Sequence, residues 1–241
     1  AAVNAGPAVA LAFLIAGIAS AAAALCYAEF ASMIPVTGSS YTYSYAVLGE
    51  FAAWLIGWDL LLEYSLIVAA VASGWSGYLQ SLLATAGIVL PTWAQGAAGT
   101  GEGRVFNLFA ALMALGVAGM LTMRTVWGAR FNTLIVTVKV VGVVLIIAVG
   151  AFYIDIGNWS PFIPPEVIDA KGEGRFGVSG VVTAAAVVFF AVFGYDTLTT
   201  AAEESKNPQR DLPRAIVLSV AISMVLYLAI SLVLTGIAHY S

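Results

Sequence analysis

Charge is the scarcest thing in this sequence. Of 241 residues, 9 are Lys or Arg and 13 are Asp or Glu, 9% in all, against about 25% in an ordinary soluble domain. So few charges cannot cover a water-facing surface, which excludes a soluble enzyme and a disordered segment. The net charge of −4 gives no basic footprint, which excludes a nucleic-acid binder. Cysteine is nearly absent: Cys26 stands alone, so there is no disulfide framework and no cysteine-rich metal site. Histidine is as rare, with His239 near the C-terminal end, and the usual zinc ligand sets have nothing to draw on. No cofactor or metal is implied. What is abundant is apolar, at 61% of residues. An integral membrane protein remains.

Apolar runs of about 18 or more residues read as membrane-spanning helices. Six are present, over residues 7–33, 51–86, 105–123, 129–153, 178–204 and 213–239. They are too long, and too free of alternation, to be barrel strands. The pattern predicts an all-α polytopic membrane protein, a single transmembrane helical domain over residues 1–241. The second run is long for one crossing. Its roughly 36 residues make about 54 Å of helix against about 30 Å of hydrocarbon. It must tilt strongly, extend into water, or begin as a separate interfacial helix. The tyrosine-rich stretch TGSSYTYSY at 37–45 suits the membrane interface.

Lysine and arginine set the orientation. Arg124, Arg130, Lys206, Arg210 and Arg214 fall on one side, and Arg104, Lys171 and Arg175 on the other. The excess places the 206–214 loop in the cytoplasm and both ends of the chain outside. The chain opens AAVNAGPA and closes HYS directly after a span, which reads as a piece of a longer protein. Such a piece is expected not to transport by itself.

Ionisable residues inside spans are costly and need a reason. Lys139 lies in FNTLIVTVKVVGVVLIIAVG, about ten residues and hence about 15 Å from either end. Snorkelling along its own helix does not reach water from there. It must face a cavity, a carboxylate or backbone carbonyls, serving transport or assembly alone. Asp59 and Glu63 are four apart in GWDLLLEY and share a helical face. Glu63 is the deeper and the better partner for a cation. Asp196 follows Gly194 in FFAVFGYDTLTT. A glycine beside an acid within an apolar span is compatible with a discontinuous helix that binds a small solute. A continuous helix with a packed glycine is the alternative. Glu203 and Glu204 read as solvated or paired with Lys206, Arg210 or Arg214. Asp211 and Pro213 read as the start of the last span. Ala12, Ala16, Ser20, Ala24 and Ala28 form a stripe of small residues along the first, a surface for close helix approach.

Two protease readings carry little. GVSG at 177–180 resembles the nucleophile motif of rhomboid intramembrane proteases, with His239 on the same side. But Ser179 stands at the water-side start of a span, where serine is an ordinary helix cap. Tyr195-Asp196 resembles half of an aspartyl intramembrane protease, whose G-x-G-D partner motif is missing.

Two longer segments are specific. FFAVFGYDTLTTAAEESKNPQRDLPRAI, beginning at Phe189, resembles the hallmark segment of amino-acid permeases of the amino acid–polyamine–organocation superfamily. Residues 25–64, LCYAEFASMIPVTGSSYTYSYAVLGEFAAWLIGWDLLLEY, resemble that family's second and third spans. The likeness is greatest to the cationic amino-acid transporter branch and its bacterial proton-coupled relatives, and covers nearly the whole chain. It implies part of a five-plus-five inverted-repeat bundle of the LeuT type, with discontinuous first and sixth helices around a midplane site. The six runs would be its second to seventh spans. The resemblance further implies that Phe190, Ala191, Val192, Phe193 and Gly194 form an unwound, substrate-binding stretch whose carbonyls hold an ammonium group. Lys139 matches the family's cation that fills a sodium site, with Glu63 and Asp196 as candidate partners in proton coupling. The implied partners are an L-amino acid, a proton and the lipid bilayer, in the plasma (bacterial inner) membrane. The implied function is secondary active, proton-coupled amino-acid transport by alternating access. An exchanger or passive facilitator and a non-transporting scaffold are the alternatives.

Overall fold

The apolar runs become helices, but positive-φ glycines and one asparagine cap, rather than hydropathy, mark several of the helix bounds. A computed structural model describes residues 1–122, 125–168, 174–192 and 194–239, with backbone alone at 125–127. In chain order the helices are α1 (Ala2–Ala5), α2 (Val9–Met33), α3 (Ser39–Leu48), α4 (Glu50–Thr85), α5 (Leu108–Leu121), α6 (Thr125–Gly150), α7 (Gly177–Val192) and α8 (Pro208–Ile237). A 3-10 helix, Tyr195–Glu204, stands between α7 and α8. A two-residue hairpin pairs β1 (Val167–Ile168) with β2 (Gly174–Arg175), antiparallel, Val167 opposite Arg175. Among the described residues, five segments are long and apolar enough to cross a membrane: Ala2–Met33, Glu50–Thr85, Gly128–Tyr153, Gly177–Glu204 and Pro208–Ile237.

The chain divides into two compact units, Ala1–Ala53 with Val138–Ser241, and Trp54–Thr137. In the first, α2 packs along α7 and α8. The small-residue stripe is what makes this possible: Ala12, Ala16, Ser20, Ala24 and Ala28 are all buried. Ala12 and Ala16 meet Val181, Ala184, Ala185 and Val188 of α7. Ala24 and Ala28 meet Leu212, Ile216 and Val220 of α8, with Tyr195 and Ala202. Methyl-sized side chains let the backbones come close, which supplies the van der Waals contact that holds helices together in lipid. The outward residues Ile15, Ile18 and Leu25 are exposed and suit lipid.

The TGSSYTYSY stretch folds as α3, a separate short helix. Gly38 enters it at φ 124 and Gly49 leaves it at φ 91. With Gly49 in a backbone conformation that disfavours L side chains, the chain turns before α4 begins. The α3 aromatic Tyr43 stacks on Phe30 of α2 with centroids 5.2 Å apart, and the Tyr27 and Ser40 hydroxyls hydrogen-bond. Burial pushes the Tyr43 hydroxyl above its usual pKa, opposed by a side-chain hydrogen bond with Thr199. At the far end, Phe176 N–H donates to Asn4 O (2.7 Å) and Arg175 Nη2 to Val3 O (2.8 Å), tying the hairpin to α1.

In the second unit α4 runs on as part of an unbroken 36-residue helix, so of the options for the long run, an interfacial break inside it is not the one taken. α5 has only 14 residues, about 21 Å of rise. It starts three residues into the third apolar run because Asn107 caps it, its Oδ1 accepting from Ala110 N–H (3.1 Å). The same oxygen accepts from Ser76 Oγ of α4 (2.6 Å), and Gln80 Nε2 donates to Ser76 Oγ (2.8 Å) and Gln95 O (3.1 Å). Ser76 is fully buried, so this network ties the start of α5 to α4. The run's last residue, Met123, and the neighbouring Arg124 lie outside the described residues.

The last span starts earlier than its hydropathy suggests. Asn207 is the N-cap and Pro208 the first helical residue. Asn207 O accepts from Arg210 N–H (3.1 Å) and Asp211 N–H (2.9 Å). Asp211 is therefore not the cap. It sits in the first turn, where its charge suits the helix dipole, and Pro213 lies inside the helix.

Candidate functional site

The fifth run is not one continuous helix. Its α-helical part ends at Val192, Gly194 stands at φ 113, and a 3-10 helix begins at Tyr195. Phe193 lies outside the described residues. Of the two readings the sequence left open at Gly194, the discontinuous one is observed. Threonines set the tighter winding that follows. Thr197 Oγ1 donates to Gly194 O, Thr199 Oγ1 to Asp196 O and Thr200 Oγ1 to Thr197 O, each at 2.6 Å. Hydroxyls bonded to the carbonyl three residues back compete with the α-helical ladder and suit 3-10 geometry.

A cavity of about 360 Å³ opens at this break. Ala191 and Val192 line it from the end of α7, Gly194 from the break, Thr197 and Leu198 from the 3-10 helix, and Ser219, Ser223 and Tyr227 from α8. Lys139 of α6 lines it as well. Its size is within the usual range for small-molecule sites. The C-terminal end of α7 presents carbonyl oxygens and the negative end of the helix dipole, a setting for a cation. Among the described residues of its own unit, Lys139 has no ion-pair partner. Over residues 1–239 the chain matches the family model described as "Amino acid permease".

The chain belongs to the amino acid permease family, within the amino acid–polyamine–organocation superfamily. It is 47% identical over 241 residues to the methylthioribose transporter of Bacillus subtilis (strain 168), covering all of this chain and 50% of that protein. It is 44% identical over 242 residues to the branched-chain amino acid permease BcaP of the same organism, again all of this chain and 50% of the relative. To human cationic amino acid transporter 4 it is 36% identical over 235 residues, 96% of this chain and 35% of that protein. The chain thus spans 50% of the length of these two bacterial relatives and 35% of the human one. These relatives are named transporters and permeases, not enzymes. With its apolar spans, this permease-family chain is an integral membrane protein of all-α class.

The sequence-derived site residues divide in space. Ala191, Val192, Gly194 and Lys139 are brought together around the cavity. Phe190 is half-exposed and does not line it. Asp196 is 2% exposed and is likewise absent from the cavity wall. Its carbonyl accepts from Ser39 Oγ of α3 (3.4 Å), on a helix that packs against α2, α3 and α8. Glu63 is partly buried on α4, in the second unit, and Asp59 is exposed. Glu203 accepts from Thr37 Oγ1 (2.8 Å), a bond to the α2–α3 connection that charge pairing did not anticipate. Ser179 donates to Glu166 Oε1 (2.5 Å) and Phe176 O (3.3 Å), the contacts of a structural serine at the start of α7. Sequence reasoning missed Ser219, Ser223 and Tyr227. Their signal was present: polar groups at four-residue spacing mark one face of an otherwise apolar span.

Proposed function

We propose that the full-length gene product is a secondary active amino-acid transporter, proton-coupled, working by alternating access in the plasma membrane. The observation that carries this reading is the cavity at the helix break, which sets Lys139 beside the carbonyl end of α7. Carbonyls at that end would take the substrate's ammonium group, and the hydroxyls of Thr197, Ser219, Ser223 and Tyr227 give the wall polar character. Phe190 and Phe193 would close over the substrate in an occluded state. Two cations in one cavity repel each other. That repulsion links occupancy of the site to the charge on Lys139 and gives proton coupling a physical basis. The helices of both units belong, in this reading, to one transmembrane domain. The relatives' names span branched-chain and cationic amino acids and methylthioribose, so the substrate side chain is left to a competition panel.

Purified full-length protein in proteoliposomes under an inward proton gradient tests the proposal. Wild type should concentrate an L-amino acid, and Lys139→Ala should lose gradient-driven accumulation. Full accumulation by Lys139→Ala would refute the coupling role. Counterflow by wild type that ignores the gradient would identify an exchanger instead, and failure of reconstituted wild type to move any amino acid would overturn transport itself.

A further inference from the structure

Where α7 stops at Val192, the carbonyls of its last turn have lost the donors a continuing helix supplies. One of them is claimed from outside. Tyr227 of α8 donates its hydroxyl to Ala191 O at 2.8 Å. The ring is held in turn by Phe13 of α2, with centroids 5.3 Å apart and planes 21° from parallel. Tyr227 and Ala191 both line the cavity that holds Lys139. One side chain thus ties α2, α7 and α8 together at the break.

We propose that Tyr227 is a positioning residue that fixes the carbonyl end of α7 in its substrate-binding geometry. The proposal rests on the reading of this cavity as the amino-acid site. A carbonyl that already accepts from a hydroxyl has less to offer an ammonium ion. Tyr227 therefore does two things. It keeps the last turn from fraying, and it directs the substrate's ammonium to the neighbouring carbonyls rather than to Ala191. The alternative for Tyr227, a ring that merely fills space, needs the aromatic group but not the hydroxyl.

Tyr227→Phe separates the two, because it keeps the ring on Phe13 and removes only the donor. In the full-length protein, the variant should raise the KM for amino-acid uptake about three- to ten-fold, the worth of one hydrogen bond, with kcat little changed. Competition by a 2-hydroxy acid analogue, which lacks the ammonium, should be unaltered. Amide hydrogen exchange over residues 194–200 should quicken while the apparent Tm holds. Phe13→Leu, which loosens the ring without touching the hydroxyl, should shift KM in the same direction by less. Unchanged KM and unchanged exchange in Tyr227→Phe would overturn the proposal, as would an equal loss of affinity for the amino acid and its 2-hydroxy analogue. Should wild type bind no amino acid at all, the reading of the site fails. The exchange comparison still decides whether Tyr227 tethers the break.

Discussion

At the scale of single residues, the cavity depends on what glycine permits and what lysine costs. Gly194 at φ 113 is in a conformation that L side chains rarely adopt, yet nothing lies within 4 Å of where its Cβ would be. The penalty for filling it is therefore in the backbone and not in a clash. Gly194→Ala should cost about 1–3 kcal/mol, read as a lowered Tm in detergent. An unchanged Tm would mean that the break has a second conformation of equal energy. Lys139 was legible as an outlier from sequence alone, because a cation in mid-span has no route to water along its own helix. What sequence could not supply was its surroundings. Asp196, a candidate partner, is buried on the 3-10 helix and is not among the residues that line the cavity.

At the scale of elements, packing in this chain follows side-chain size more than hydrophobicity. Both faces of α2 are apolar, but only the alanine face is buried. Ala24→Leu should place a bulky group where 1% of the residue is now exposed, against α8 and the 3-10 helix. A loss of about 1–3 kcal/mol is expected from overpacking. Leu25→Ala, on the exposed face one residue away, should stay within about 0.5 kcal/mol. Thermal unfolding of the two variants side by side checks this, and equal losses would mean that the stripe is not the packing surface. The buried stripe was visible in the four-residue spacing. The helix ends were less so. Asn107 sets the start of α5 by a side-chain cap, and Pro208 stands in the first turn of α8; hydropathy runs on past such signals because each is carried by one residue.

For the whole molecule, the orientation in the membrane is a charge argument that a labelling experiment settles. Cys26 is the one cysteine in this chain, so Cys26→Ser, with any cysteine elsewhere in the full-length protein also replaced, gives a cysteine-free background. Ser205→Cys, next to Lys206, should then react with an impermeant maleimide only from the cytoplasmic side, and Thr100→Cys only from the opposite side. Labelling of Ser205→Cys from outside intact cells would invert the topology.

The sequence by itself determined the solvent, the class and the family. Scarce charge, long apolar runs and two extended motifs are properties of the chain read in order, and burial in lipid acts on each run separately. The tertiary structure alone decided which groups meet. Lys139, the end of α7 and the polar face of α8 come from segments up to 88 positions apart (139 to 227). Only the close approach of helices over alanine brings Tyr227 within 2.8 Å of Ala191, because hydrogen bonds act over ångströms and carry no mark in the spacing of the residues that make them.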